Sequence, residues 1–224
     1  TVGDMVSTQQ TAPSLTCPLC SAAGPFAPVR DMRKRTLHSC PTCRLVFADP
    51  RDWPAPAAEK ERYATHRNGP EDAGYVAFLQ QAVTPALPLL PPGARGLDYG
   101  CGHTPTLHLL LQQAGFACAN YDPFFFPDWP GETFDYVFAT EVVEHFHRPA
   151  REWPKLLSLL KPAGLLIVMT APWDEQTDFR TWGYASDETH VAFYHRETFA
   201  WIKARWGLAE IPNPNPRVLL LRRA

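Results

Sequence analysis

The sequence has little net charge and no long apolar segment. Its 224 residues carry 21 Lys and Arg against 23 Asp and Glu, which gives a formal net charge of -2. This balance argues against the broad basic surface of a nucleic-acid-binding or membrane-surface protein, although a local basic patch stays open. No run of about 18 apolar residues occurs, so no membrane span is predicted.

A signal-peptide pattern is lacking as well. Such a signal is a charged segment followed by an apolar one, and the sequence does not start that way. We therefore expect a cytoplasmic protein, with residues 1–14 as a disordered tail or an expression remnant. Hydrophobic residues at 45% and charged residues at 20% indicate a globular chain, long enough for one α/β domain and a small appendage.

Four of the six cysteines are clustered. Cys17 and Cys20 form one C-x-x-C pair, and Cys40 and Cys43 form a second. Zn²⁺ prefers a tetrahedron of thiolates, and a two-residue gap lets one turn present two of them. Disulfides or free thiols are the alternatives, and a reducing compartment disfavours disulfides. We predict a closed, structural zinc site in a zinc-ribbon-like module at residues 15–48.

Proline, at 24 residues, is the other enriched residue type. Its clusters within residues 49–93 predict a helical, proline-rich connector of short helices and rigid turns. Tyr63 and His66 lie one helical turn apart there, facing either solvent, which is the simpler interpretation, or a pocket. The basic stretch at residues 30–35 is either a solvated hairpin tip or a clamp for an anionic substrate.

The pattern changes in residues 94–224. A short strand at residues 96–99 runs into a glycine turn and a helix, and a second strand ends at Asp122. Small residues in such a turn let a ligand approach the backbone closely. Asp122 stands 20 residues beyond Gly102, where an acid that binds a ribose is expected.

Three segments of this region resemble the motifs of class I S-adenosylmethionine-dependent methyltransferases. They are residues 97–102, 134–145 and 159–168, in the order that the family shows. The resemblance implies an α/β, Rossmann-like, mostly parallel sheet of seven strands, preceded here by the four-cysteine lobe. Only 13 positions separate Asp122 from Asp135, so the third strand is expected to be shortened or lost.

The same resemblance implies a cofactor site for S-adenosylmethionine. Its residues would be Asp98, Gly100, Cys101, Gly102, Asp122, Pro123, Thr140 and Glu141. One departure from the family is Thr104, which stands where a third glycine is usual. The aromatic residues 124–126 and Trp129 replace the family's adenine contact, either as a wall for the adenine or as a plug at the sheet edge.

The aromatic-rich loop at residues 171–195 is the expected acceptor region, either as a pocket wall or as a lid that only packs. Residues 187–194 resemble a segment of small-molecule methyltransferases, including some zinc-ribbon sugar C-methyltransferases. Histidine suits proton transfer near neutral pH. We predict His190 as a base or acceptor-orienting group, with His145 and Tyr194 as supporting catalytic residues.

The expected function is methyl transfer from S-adenosylmethionine to a small-molecule acceptor by in-line displacement. The basic stretch leaves methylation of RNA or protein as an alternative function, in which the zinc module docks the substrate. The altered turn at Thr104 leaves a non-catalytic cofactor-binding or interaction protein as a second alternative. Oxygen, nitrogen, carbon and sulfur acceptors all use this fold, so the acceptor and the oligomeric state do not follow from the sequence.

Overall fold

The computed structural model describes residues 15–66 and 68–223, so the predicted tail lies outside the described residues. The N-terminal lobe is an antiparallel sheet of short strands, β1 (Ala27–Arg30), β2 (Thr36–Ser39) and β3 (Val46–Ala48). Leu37 and all of β3 are buried. Because so few residues form this lobe, it depends on packing against the rest of the chain.

Two helices follow, within the predicted connector at residues 49–93. Helix α1 (Pro56–Ala64) begins with a proline, whose missing N–H is no loss in a first turn. Helix α2 (Ala73–Ala86) is capped by Asp72, which accepts a hydrogen bond from the Tyr75 N–H at 3.0 Å. One face of α2 is buried, at positions three and four apart: Leu79, Ala82, Val83 and Ala86.

The remaining chain forms a larger sheet with helices around it. The strands of this sheet are β4 (Arg95–Tyr99), β5 (Ala117–Tyr121), β6 (Phe134–Thr140), β7 (Leu160–Met169), β9 (Leu208–Ile211) and β10 (Val218–Arg223). The loop after β7 contains a short strand outside this sheet, β8 (Ala192–Phe193). The helices are α3 (Thr106–Gln113), α4 (Pro149–Ser158) and α5 (Arg196–Trp206). The sheet order is β5-β4-β6-β7-β10-β9, with β5, β4, β6 and β7 parallel.

Within the described residues this sheet has six strands, one fewer than the seven expected. The segment between β5 and β6 contains three prolines, which cannot donate to a strand ladder. Asp122 and Phe126 instead exchange two backbone hydrogen bonds at 3.0 Å in a tight turn. The third strand of the family pattern is therefore lost, and β5 forms one edge of the sheet.

The two sheets share a hydrophobic core. Strand β8 pairs antiparallel with β3, so the loop after β7 supplies the fourth strand of the N-terminal sheet. One cluster of buried side chains runs from Leu45 and Phe47 of the lobe to Trp153 and Tyr194. No helix in the described ranges is long and apolar enough to cross a membrane.

Candidate active site

A cavity of about 570 Å³ opens at the carboxyl ends of β4, β5 and β6. These parallel strands end side by side, so the residues that follow each strand meet at one edge of the sheet. Seven of the eight predicted cofactor residues line this cavity: Gly100, Cys101, Gly102, Asp122, Pro123, Thr140 and Glu141. Asp98 lies at an adjoining smaller cavity that shares Gly100, Cys101 and Thr140 with it.

The glycine turn after β4 needs its glycines for two different reasons. Both Gly100 and Gly102 have left-handed backbones, with φ of 80° and 66°. A Cβ on Gly100 would lie 2.4 Å from Cγ2 of Val142, so a side chain does not fit there. A Cβ on Gly102 would meet nothing within 4 Å, which leaves open space where a ligand can approach the backbone.

Two buried carboxylates stand on either side of that turn. Asp122 accepts hydrogen bonds from the Gly102 N–H at 3.0 Å and from the Phe124 N–H at 2.8 Å, and it thereby fixes the turn. Asp98 is 4% exposed, and burial together with the nearby Asp122 charge raises its pKa to about 7. A cationic ligand group beside Asp98 would stabilise its charged form.

The end of β6 contributes a residue with an unusual backbone. Glu141 has a φ of 53°, a conformation that costs a non-glycine residue energy and is common at functional sites. Its carboxylate accepts from Arg217 at 3.0 Å, while burial and the neighbouring Glu144 raise its pKa to about 7. Thr140 Oγ1 is buried and has no hydrogen-bond partner among the described residues. The cavity wall therefore offers an unused polar atom.

His145 and His190, two of the predicted catalytic residues, both line this cavity. Their ring centroids lie 4.7 Å apart. Tyr194 is a correction, because it is buried away from the cavity lining. Its hydroxyl donates to the Val143 carbonyl at 3.0 Å and accepts from Trp153 Nε1 at 3.4 Å, so its role is in the core.

The connector helices form the opposite wall of the cavity. Tyr63 and His66 of the α1 region line it, against the simpler interpretation of a surface helix, and Glu59, Tyr75 and Phe78 join them. The Tyr63 hydroxyl lies 3.1 Å from His145 Nδ1. The helices of the predicted proline-rich connector thus cover the predicted cofactor site.

The aromatic replacements for the third strand divide between the two predicted roles. Phe124 lines the cavity and packs against Tyr63 at a centroid distance of 5.7 Å. Trp129 packs against Tyr121 at 5.1 Å but remains 42% exposed. Phe124 is therefore the residue of this group that is placed to contact a ligand.

Most aromatic residues of the long loop pack instead of forming a pocket. Phe179 and Phe193 share a buried cluster with Leu37 and Val46 of the N-terminal lobe, and Trp173, Trp182 and Tyr184 pack against it. Of this loop, His190 alone is among the cavity-lining residues that the structure describes. Of the two roles that the sequence leaves open, the aromatic residues therefore take the packing role, at an interface between the loop and the lobe.

The basic stretch supplies a buried arginine to that interface. Arg35 is 9% exposed and its Nε donates to the buried carboxylate of Asp31 at 2.5 Å. Its terminal nitrogens donate, at 2.8 to 3.2 Å, to the carbonyl oxygens of Ala185, Asp187, Glu188 and His190. Arg35 therefore holds the backbone of the segment that carries His190, and it does not clamp a free anion.

The four clustered cysteines meet in two turns of the same geometry. In each turn the N–H of the first cysteine donates to a carbonyl five residues on, and its carbonyl accepts from the N–H four residues on. The residues after the second cysteines, Ser21 and Arg44, both have a φ of 61°. This repeat is the backbone arrangement that brings two thiol pairs together.

The sulfur atoms are spaced for one metal ion. Cys17 Sγ lies 3.6 Å from Cys43 Sγ, Cys20 Sγ lies 3.5 Å from Cys40 Sγ, and all four Sγ atoms lie within 4.8 Å of one another. Thiolates of a zinc tetrahedron with bonds of about 2.3 Å stand about 3.8 Å apart. The donor set and its spacing fit Zn²⁺.

Comparison with known proteins identifies the family. The "Methyltransferase domain" family model matches residues 64–211, which is two thirds of the chain, while no curated protein matches. An O-methyltransferase family protein from Burkholderia thailandensis superposes with a TM-score of 0.51 and 19% identity, over 74% of this chain and 63% of that one. The mitomycin 7-O-methyltransferase MmcR gives 0.51 and 17%, over 69% and 56%. The chain spans less than two thirds of either protein, and these likenesses establish the fold. By its family model, the chain belongs to the methyltransferases.

Proposed function

We propose that this methyltransferase transfers the methyl group of S-adenosylmethionine to a small-molecule acceptor. The observation that carries the proposal is the open space at Gly102, in the cavity at the carboxyl edge of the sheet. A cofactor that lies on this turn fills that space and approaches the backbone closely. S-adenosylmethionine supplies an activated methyl group on a sulfonium centre.

Three acidic residues are suited to the cofactor's polar groups. Asp122 stands at the tip of β5, where its carboxylate can accept from ribose hydroxyls. Asp98 is buried and Glu141 is partly buried, and desolvation raises the pKa of each to about 7. An ammonium or sulfonium charge nearby favours their ionised forms. Phe124, which lines the cavity, is proposed to contact the adenine.

The acceptor is proposed to bind between the connector helices and the two histidines. The whole cavity measures about 570 Å³, which is within the range of small-molecule sites. Arg35 is buried in the loop interface and Arg33 pairs with Glu188, so two of the four basic residues of the basic stretch already have partners within the chain. A small hydroxylated or aminated molecule fits this enclosed geometry better than a polymer.

His190 is proposed to orient the acceptor, with His145 beside it. Burial lowers the pKa of His190 to about 3, so the ring is neutral at pH 7 and is a weak base. Its Nδ1 lies 2.7 Å from the Tyr184 carbonyl oxygen, which places the proton on Nδ1 and leaves the lone pair on Nε2. An orienting contact through Nε2 suits this ring better than proton abstraction.

Zn²⁺ is proposed at the four cysteines, with a structural role. Four thiolates leave no open position for chemistry, and the cluster lies in the shared core next to β3. The metal would hold the lobe that packs on the segment around His190.

Activity profiling tests the proposal. The full chain is incubated with methyl-labelled S-adenosylmethionine and a metabolite extract, with and without RNase, and label is followed into small molecules, RNA and protein. We expect RNase-resistant label in the small-molecule fraction. Label that appears only in RNA or protein would overturn the small-molecule assignment.

A further inference from the structure

Two histidines and a glutamate converge on the acceptor side of the cavity. Ligand atoms of Glu144, His145 and His190 all lie within 4.8 Å of one another. Glu144 is fully buried at the turn Val143–His145, which follows β6, while the two imidazoles line the cavity. Glu144 is the second glutamate of a Glu-x-x-Glu-His run after a buried strand, and no pattern in the sequence marks it as a site residue.

In both histidines of this cluster, one ring nitrogen lies within hydrogen-bond distance of a backbone carbonyl oxygen. His145 Nδ1 lies 2.9 Å from the Thr189 carbonyl oxygen and His190 Nδ1 lies 2.7 Å from the Tyr184 carbonyl oxygen. Both rings thus present an Nε2 lone pair. Metal-binding histidines have this arrangement, since the second nitrogen donates to a carbonyl or carboxylate and fixes the ring.

One oxygen of the Glu144 carboxylate is likewise held by a hydrogen bond, and the other is not. The Thr170 hydroxyl donates to Glu144 Oε2 at 3.0 Å, whereas Oε1 is buried and has no hydrogen-bond partner in the described residues. Oε1 lies 4.0 Å from His145 Nε2, too far for a hydrogen bond and near the separation of two ligands on one ion. A buried carboxylate oxygen without a donor is costly unless a cation compensates it.

Among the described residues, no lysine or arginine forms an ion pair with Glu144. Arg217 is the cation on this side, and its guanidinium pairs with Glu141 at 3.0 Å. Arg35 lies behind the loop and uses its terminal nitrogens on backbone carbonyls.

We propose that Glu144, His145 and His190 bind a divalent transition-metal cation in the cavity. Two imidazoles and one carboxylate suit Zn²⁺, Co²⁺, Mn²⁺ or Fe²⁺, and three protein ligands leave coordination positions open, as in catalytic sites. If the proposed function holds, the open positions face the acceptor, and a coordinated hydroxyl loses its proton more readily. The substrate class is then a hydroxylated small molecule, methylated on oxygen.

Cobalt titration of the zinc-loaded full chain tests the site, with calorimetry for affinity and visible absorption for ligand type. We expect one equivalent of Co²⁺ to bind without thiolate charge-transfer absorption. Glu144→Gln and His190→Ala should each weaken binding by about 100-fold or more, and Thr170→Val by about 10-fold. Thr170→Val retains all three ligands, so it keeps the test valid if a ligand variant misfolds.

The matched control is a second cluster of the same composition on the surface. Glu175, His195 and Glu197 also lie within ligand distance of one another, but both glutamates are exposed. A Glu175→Gln, Glu197→Gln double variant should bind Co²⁺ as the parent does. Cobalt binding that is absent, that survives Glu144→Gln, or that is lost in the surface variant overturns the proposal.

S-adenosylhomocysteine titrated into the same samples separates the two proposals. Binding of S-adenosylhomocysteine without any cobalt site removes the metal proposal and leaves the proposed methyl transfer intact. A cobalt site in a chain that does not bind S-adenosylhomocysteine removes the proposed function and leaves the metal site standing.

Discussion

Replacing Arg35 with methionine removes a buried side chain that joins the N-terminal lobe to the backbone around His190. The Arg35 side chain is 8% exposed and its partner Asp31 is fully buried. Five donated hydrogen bonds are lost, one to Asp31 and four to backbone carbonyls. Methionine fills similar space but donates nothing.

The expected cost follows from the charge left behind. Removing one partner of a buried ion pair destabilises a protein by about 3–5 kcal/mol, because the other charge stays buried and unpaired. In a chain of this size 1 kcal/mol lowers the melting temperature by about 2–4 °C, so Arg35→Met should lower it by roughly 6–20 °C. Asp31→Leu added to Arg35→Met should restore part of this loss.

Urea unfolding and amide exchange measure the global and the local effect. The His190 N–H, which donates to the Asp187 carbonyl at 3.2 Å, should exchange faster in Arg35→Met. Arg33→Met is the matched control, since Arg33 is 52% exposed and pairs with Glu188 on the surface. We expect it to cost less than about 1 kcal/mol. An Arg35→Met protein as stable as Arg33→Met, with unchanged exchange, would refute the reasoning.

Two further predictions concern the metal lobe and the cavity wall. Cys40→Ser removes a proposed zinc ligand, so the thiolate charge-transfer absorption of the cobalt-substituted chain should disappear. Cys118→Ser, which lies outside the cluster, is the control and should retain this absorption. Absorption that persists in Cys40→Ser contradicts the four-cysteine site. Burial raises the pKa of Glu59 to about 7, so the folded chain keeps this proton to a higher pH than the unfolded chain, and the free energy of unfolding should fall as pH rises from about 4.5 to 7. Glu59→Gln should flatten that slope in urea titrations, and equal slopes in both proteins count against a buried carboxyl.

Local sequence signals predicted the parallel strands and the glycine turn. Residues 97–102 and Asp122 follow from short-range rules, because strand, turn and terminal acid are adjacent in the chain. The loss of the third strand follows from the 13-position spacing and its prolines. The structure brings Gly100, Gly102 and Asp122 to one cavity, and Asp98 lies at a smaller cavity next to it.

The same short-range rules do not predict contacts between residues that are far apart in the sequence. Tyr63 reaches His145 across 82 positions, and a short helix in a proline-rich segment gives no signal of that contact. The aromatic composition of the long loop fits a pocket and a packing interface equally well until its neighbours are known. Arg35 illustrates the same limit, since a basic stretch does not reveal which arginine is buried.

Binding of the cofactor tests the central claim most directly. S-adenosylmethionine and S-adenosylhomocysteine are titrated calorimetrically into the full chain, into Asp122→Ala, and into Asp128→Ala, which alters an exposed acid six residues away. We predict one site, weakened about tenfold or more in Asp122→Ala and unchanged in Asp128→Ala. Failure of both compounds to bind the parent chain, or equal affinity in Asp122→Ala, would contradict the placement of the cofactor on the glycine turn.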